Sequence, residues 1–183
     1  MNRSKKLSKI FAMLLVFTII CSITTPTLAY VKTGYKWKNN PITYYYYNYN
    51  STRGKTYFEK GAAGWSGTDA KLNYTGNLNS YNILCSEVSR SDVSWDGITN
   101  CTVSGSYYKT ITLKLNLSAT NTWNNNGALE SVAIHEFGHC LGLNEYNAKV
   151  IMNPYTWGPN SRYGDYKLTK IQTDDKNGVN ALY

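Results

Sequence analysis

Residues 107–117 alternate, with Ile111, Leu113, Leu115 and Leu117 set against Thr112, Lys114 and Asn116. A period of two sends one set to a buried face, so the pattern predicts a half-buried strand. Residues 42–48, Ile-Thr-Tyr-Tyr-Tyr-Tyr-Asn, are dense in β-formers and bounded by Pro41 and an Asn/Ser cluster, which predicts a second strand. Its alternation turns half of the tyrosines inward. Shorter runs at 71–75, 82–88 and 101–103 read as strands, and residues 89–100 read as a loop carrying Trp95-Asp96-Gly97. The period changes between residues 52 and 65, where Tyr57, Phe58, Ala62 and Trp65 recur at helical spacing, weakened by Gly61 and Gly64. A second helix is predicted over 128–141, after the turn and capping residues Asn124-Asn125-Asn126-Gly127, and a third over 169–182 with Thr169 as N-cap. The order is strand, helix, several strands, helix, helix, an α+β layout.

The first 29 residues stand apart from this pattern. Arg3, Lys5, Lys6 and Lys9 precede an apolar run over 10–23 that ends in Thr27-Leu28-Ala29. This arrangement predicts a secretory signal peptide over 1–29 and a mature domain over 30–183. The run is short of the roughly 20 residues a spanning helix needs, although an uncleaved anchor is the alternative. The expectation is therefore an extracellular monomer with no stable membrane association. The leader holds four cations and no acid, so without it 19 cations fall to 15 against 11 acids, and the net charge of +8 becomes +4. Those cations are scattered singly, which argues against a nucleic-acid partner. Three cysteines follow the leader. Cys85 and Cys101 flank the polar loop and form the natural disulfide in an oxidising compartment, leaving Cys140 over, while other pairings stay open.

The chain has two histidines, and both lie in His135-Glu136-Phe137-Gly138-His139. Residues four apart share a helix face at roughly 100° per residue, so both imidazoles can reach one metal ion, with Glu136 beside them as a general base. Cys140 points roughly 100° away from His139, toward the Ala133/Phe137 face, as a buried thiol. Gly142 can adopt positive φ just past the helix and send the chain sharply back, which would bring Glu145 to the metal. Two neutral imidazoles and a carboxylate form a zinc set that leaves a fourth position for water. The alternative leaves Glu145 in solvent with water as third ligand.

His135 to Glu145, reading HEFGHCLGLNE, followed by Ile151-Met152-Asn153-Pro154, resembles the metzincin signature and its Met-turn. Within that clan the chain is most similar to the matrixin catalytic domain, through AIHEFGHCLGL at 133–143 and the ending at 168–183. The resemblance implies a twisted, mostly five-stranded sheet with three helices, a zinc cofactor, Met152 supporting the site, and a protein or peptide substrate lying extended along an edge strand near residues 101–108. It also implies that Asp174-Asp175 braces the Met-turn. Glu145 stands where matrixins carry a third histidine, and no histidine remains for their structural zinc. Oxygen ligands for Ca2+ are offered by the loop containing Asp92 and Asp96. The resulting expectation is a zinc metalloendopeptidase. A secreted Tyr-rich adhesion module with a structural zinc and a cell-wall peptide amidase are the alternatives.

Overall fold

In the computed structural model, residues 30–47 and 51–183 are described; the expected signal peptide lies outside them. The elements in chain order are β1 (Val31–Lys32), β2 (Ile42–Tyr47), α1 (Thr52–Ala63), β3 (Leu72–Tyr74), β4 (Ile83–Val88), β5 (Gly97–Ser104), β6 (Tyr107–Asn116), α2 (Thr120–Trp123), α3 (Asn126–Cys140), β7 (Leu143–Asn144) and α4 (Thr173–Asn180). Five strands form one sheet in the order β3-β2-β4-β6-β5. All are parallel except β5, which runs antiparallel to β6 at the edge. β1 and β7 make a separate antiparallel pair. This is the expected α+β arrangement, with three longer helices and the additional single turn of α2.

The alternation read in β6 sets the inner face of the sheet: Ile111, Leu113 and Leu115 are buried and sit opposite Ile83, Cys85 and Glu87 of β4. α1 and α3 cover that face. Ser51 caps α1 by accepting from the Gly54 amide at 3.2 Å. Trp65, just past the helix end, is fully enclosed and donates its indole N–H to the Ile134 carbonyl of α3 at 2.9 Å. Trp37 makes the equivalent bond to the Cys140 carbonyl at 2.8 Å. Two tryptophans thus tie the carbonyls of α3 to the surrounding core, each with its polar atom satisfied, as buried indoles require.

Three boundaries differ from the sequence reading. β5 begins at Gly97, inside the expected loop, because its ladder with β6 runs from Gly97 opposite Leu115 to Ser104 opposite Tyr107. Pairing overrides the weak β propensity of Gly and Asn here. The edge segment expected near 101–108 is divided by the turn at Gly105, so only its first part belongs to the free edge. The last helix starts at Thr173 rather than Thr169, because the Asp175 carboxylate reaches back to the Gln172 amide at 2.7 Å and closes the helix start there.

Candidate metal centre and active-site cleft

Asn125 opens α3 by accepting from the Ala128 amide at 3.1 Å. Eleven of the fifteen residues of α3 are buried, so the helix passes through the core and delivers its second half to the floor of a cleft. That cleft has a volume of about 650 Å³ and lies between β5 and the segment after Met152. His135, Glu136, His139 and Glu145 all line it.

The two imidazoles are held by their far nitrogens. His135 Nδ1 lies 2.9 Å from the Ile151 carbonyl and His139 Nδ1 lies 2.9 Å from the Leu143 carbonyl. A carbonyl can only accept, so in each neutral ring the proton is assigned to Nδ1 and the lone pair to Nε2. The two Nε2 atoms face each other at 3.1 Å. Two lone pairs make no hydrogen bond, and burial, reinforced by the charge of Arg162 and by repulsion that a protonated His139 would add, holds His135 well below the usual histidine range. A shared cation resolves the conflict. Two nitrogens each about 2.0–2.1 Å from one tetrahedral zinc lie about 3.3 Å apart, close to the observed separation. The Glu145 carboxylate completes a group whose ligand atoms lie within 4.8 Å of one another. The donor set therefore fits zinc in type, protonation and spacing.

Gly142 has φ +99°, the left-handed turn expected of it, and this turn leads into β7 and then Glu145. β1 secures the turn: Val31 and Lys32 pair with Asn144 and Leu143, and the Thr33 amide donates to the Gly142 carbonyl at 2.9 Å. Met152 packs against Gly138, which lies between the two histidines in sequence. A Cβ at Gly138 would collide with Met152 Sδ, so glycine within the motif permits this approach. Asp175 braces the same turn, its carboxylate accepting from the Ile151 amide at 2.9 Å and the Met152 amide at 3.1 Å.

Glu136 is 5% exposed, and burial raises its pKa above the usual carboxylate range. The charge of His139, a hydrogen bond from Thr99 and the charge of Arg162 act in the opposite direction. Thr99 Oγ1 donates to Glu136 Oε2 at 2.7 Å. Neither Thr99 nor Arg162 was marked by the sequence patterns. Thr99 fell within the expected loop, and its only signal was shared parity with Cys101 on what proves to be β5. Arg162 sits in a Gly/Asn/Ser-rich stretch that reads as surface, yet it is 2% exposed and lines the cleft.

One expectation is corrected and another finds no support. Cys85 and Cys101 are free thiols, the first buried in β4 and the second exposed on β5. β6 lies between their strands. Strands about 4.8 Å apart put these cysteines at least about 9 Å from each other, beyond the roughly 7 Å limit between Cα atoms for a disulfide. Cys140 is buried and free, as expected. Calcium at the loop of Asp92 and Asp96 finds no support: Arg90 grips both oxygens of Asp92 at 2.7 and 2.6 Å. Among the described residues, Asp92 and Asp96 belong to no group of three metal-ligating side chains.

A family model described as Matrixin matches residues 36–183. Matrix metalloproteinase-25 of Homo sapiens is 43% identical over 56 residues, and that of Mus musculus is equally similar. Each alignment covers 30% of this chain and 9% of the relative's length.

Proposed function

This chain belongs to the matrixin family, and from that premise we propose that it is a secreted zinc endopeptidase in which His135, His139 and Glu145 hold the metal and Glu136 is the general base. The observation that carries the reading is the opposition of two Nε2 lone pairs at 3.1 Å, with the Glu145 carboxylate within reach of both. When bound, zinc supplies Lewis acidity that makes a water nucleophilic near neutral pH and polarises a carbonyl.

The rest of the chemistry belongs to the chain. Glu136 has no use in a purely structural metal site, yet its carboxylate is buried at the cleft floor and oriented by Thr99. There it takes a proton from water and returns it to the leaving amine. The free edge of β5 offers unpaired backbone groups alongside, which suits an extended peptide held by strand addition. Such binding selects loops and unfolded segments of proteins. Tyr155, 56% exposed on the cleft wall, is available to the substrate. Tyr163 packs edge-on against Trp157 instead. The leader-like residues 1–29 support export.

The test is Glu136→Gln. The variant is expected to keep stoichiometric zinc and lose cleavage of an unfolded protein substrate. Cleavage at the wild-type rate would remove Glu136 from the mechanism.

A further inference from the structure

Arg162 is a buried cation without a carboxylate partner. Its Nη1 donates to the carbonyls of Asn153 at 2.8 Å and Pro154 at 3.3 Å, and its Nη2 donates to Thr156 Oγ1 at 2.9 Å. These neutral acceptors occupy three of the five guanidinium N–H groups, and Nε has no partner. Among the described residues, no ion pair includes Arg162. Burial lowers its pKa to about 10, against the opposing pull of Glu136, Asp96 and Glu145. All three of those carboxylates line the same cleft as Arg162.

The segment around it is tied together by hydrogen bonds. Asn153 donates to the Ala148 carbonyl at 2.8 Å and the Asn160 carbonyl at 2.9 Å, and it accepts from the Tyr155 amide at 3.0 Å. The Arg162 amide returns to the Tyr155 carbonyl at 2.8 Å. The guanidinium is thus fixed before any ligand arrives, and its ordering adds little cost to binding. Bridging carbonyls requires only N–H donors. A permanent charge in that role is costly for the fold, because its burial is offset only from a distance by Glu136, Asp96 and Glu145, with no direct ion pair. A charge at the wall of a substrate cleft is instead suited to an anion delivered by the substrate, and a planar guanidinium suits a carboxylate better than a point charge does.

We infer that Arg162 forms a carboxylate-binding subsite, so that the cleft selects peptides carrying Asp or Glu at a position flanking the scissile bond. This rests on the peptidase reading of the same cleft. A net charge of +4 over residues 30–183 favours the approach of acidic segments.

The experiment compares C-terminally amidated peptides bearing Glu or Asp at each position around a cleavable bond with their Gln or Asn counterparts. Binding is measured to the zinc-loaded Glu136→Gln protein, and cleavage by the zinc-loaded wild type. An acidic residue at one flanking position is expected to raise both affinity and kcat/KM by at least about 10-fold. Adding Arg162→Gln should bring the acidic peptides to within about 2-fold of the neutral ones while binding of the neutral ones changes little, and Arg162→Lys should retain part of the preference. A merely structural role would weaken acidic and neutral peptides together, and equal binding of both by the Arg162-containing protein overturns the subsite. Preference only for a free C-terminal carboxylate would overturn the internal Asp/Glu assignment. If acidic preference appears in binding while nothing is cleaved, the peptidase reading fails and the subsite stands.

Discussion

Replacing Thr99 with valine removes one hydroxyl from the centre of the site while nearly preserving side-chain shape. Thr99 Oγ1 donates to Glu136 Oε2 at 2.7 Å, a bond to an acceptor that carries full charge when Glu136 is ready to act as base. Such bonds contribute about 1.5–3 kcal/mol, and 1.36 kcal/mol corresponds to one pKa unit. The hydroxyl also interacts with the protonated carboxyl, so the difference between the two states is smaller than the whole bond, about 1 unit. The sign follows directly: the bond favours the ionised form and holds the pKa down against burial, so its loss raises the pKa further. Less Glu136 is then ionised on the acid side. The acid limb of kcat/KM, which reports the essential base of the free enzyme, should move up by about one pH unit in Thr99→Val. The loss should be greatest on the acid limb and should shrink as the pH rises past it. Thr99→Ser should restore the wild-type limb. A pH–rate profile on zinc-replete protein decides the matter, and a Thr99→Val limb superimposing on wild type would refute the role assigned to this bond.

Three further predictions concern the support of the site. Gly138→Ala forces a methyl into Met152 Sδ and should destabilise the fold by about 1–3 kcal/mol, read as a lower Tm, with zinc affinity falling as the Met-turn shifts. Asp175→Ala strands the amides of Ile151, Met152 and Gln172, and at about 1–3 kcal/mol for each unsatisfied donor it should cost at least about 3 kcal/mol in urea denaturation. Glu145→Ala should lower zinc retained after dialysis against a weak chelator while leaving the far-ultraviolet circular dichroism unchanged, because Glu145 is exposed and belongs to no core contact. Full zinc retention would return the third ligand position to water.

The parts legible in the sequence are those with a strong local period. Ile111, Leu113 and Leu115 announce their strand because alternation over several residues has one structural solution, and His135 and His139 announce a shared site because four residues span about one helical turn. Gly142 was legible for a different reason, since a glycine just past a helix has a restricted set of uses, and here it takes φ +99°. What escaped depends on partners distant along the chain. Gly97, Thr99 and Asn100 become strand residues only through β6, and Thr99 gains its hydrogen bond only because β5 passes beside α3. Cys85 and Cys101 look paired along the chain, but β6 inserts between their strands, which no local pattern reveals. Arg162 is the sharpest case. Its neighbours are those of a surface loop, and its burial arises from the way the segment after Met152 folds back on itself.

The edge position of β5 carries a cost as well as an opportunity. A strand with one side unpaired presents main-chain groups to any extended chain, whether a peptide to be cut or a partly unfolded copy of the same protein. Soluble sheets usually blunt such edges, yet an edge used for strand addition must stay open. The register shift between Thr102 and Val103 offers a compromise: it breaks the regular ladder before the turn and limits the straight part of the edge to the stretch beside the cleft. Under the proposed strand-addition mode, colloidal stability and peptide capture would be set by the same few backbone amides. A change that lengthened this strand by removing the bulge would be expected to promote self-association at high concentration before it altered any chemistry at the metal.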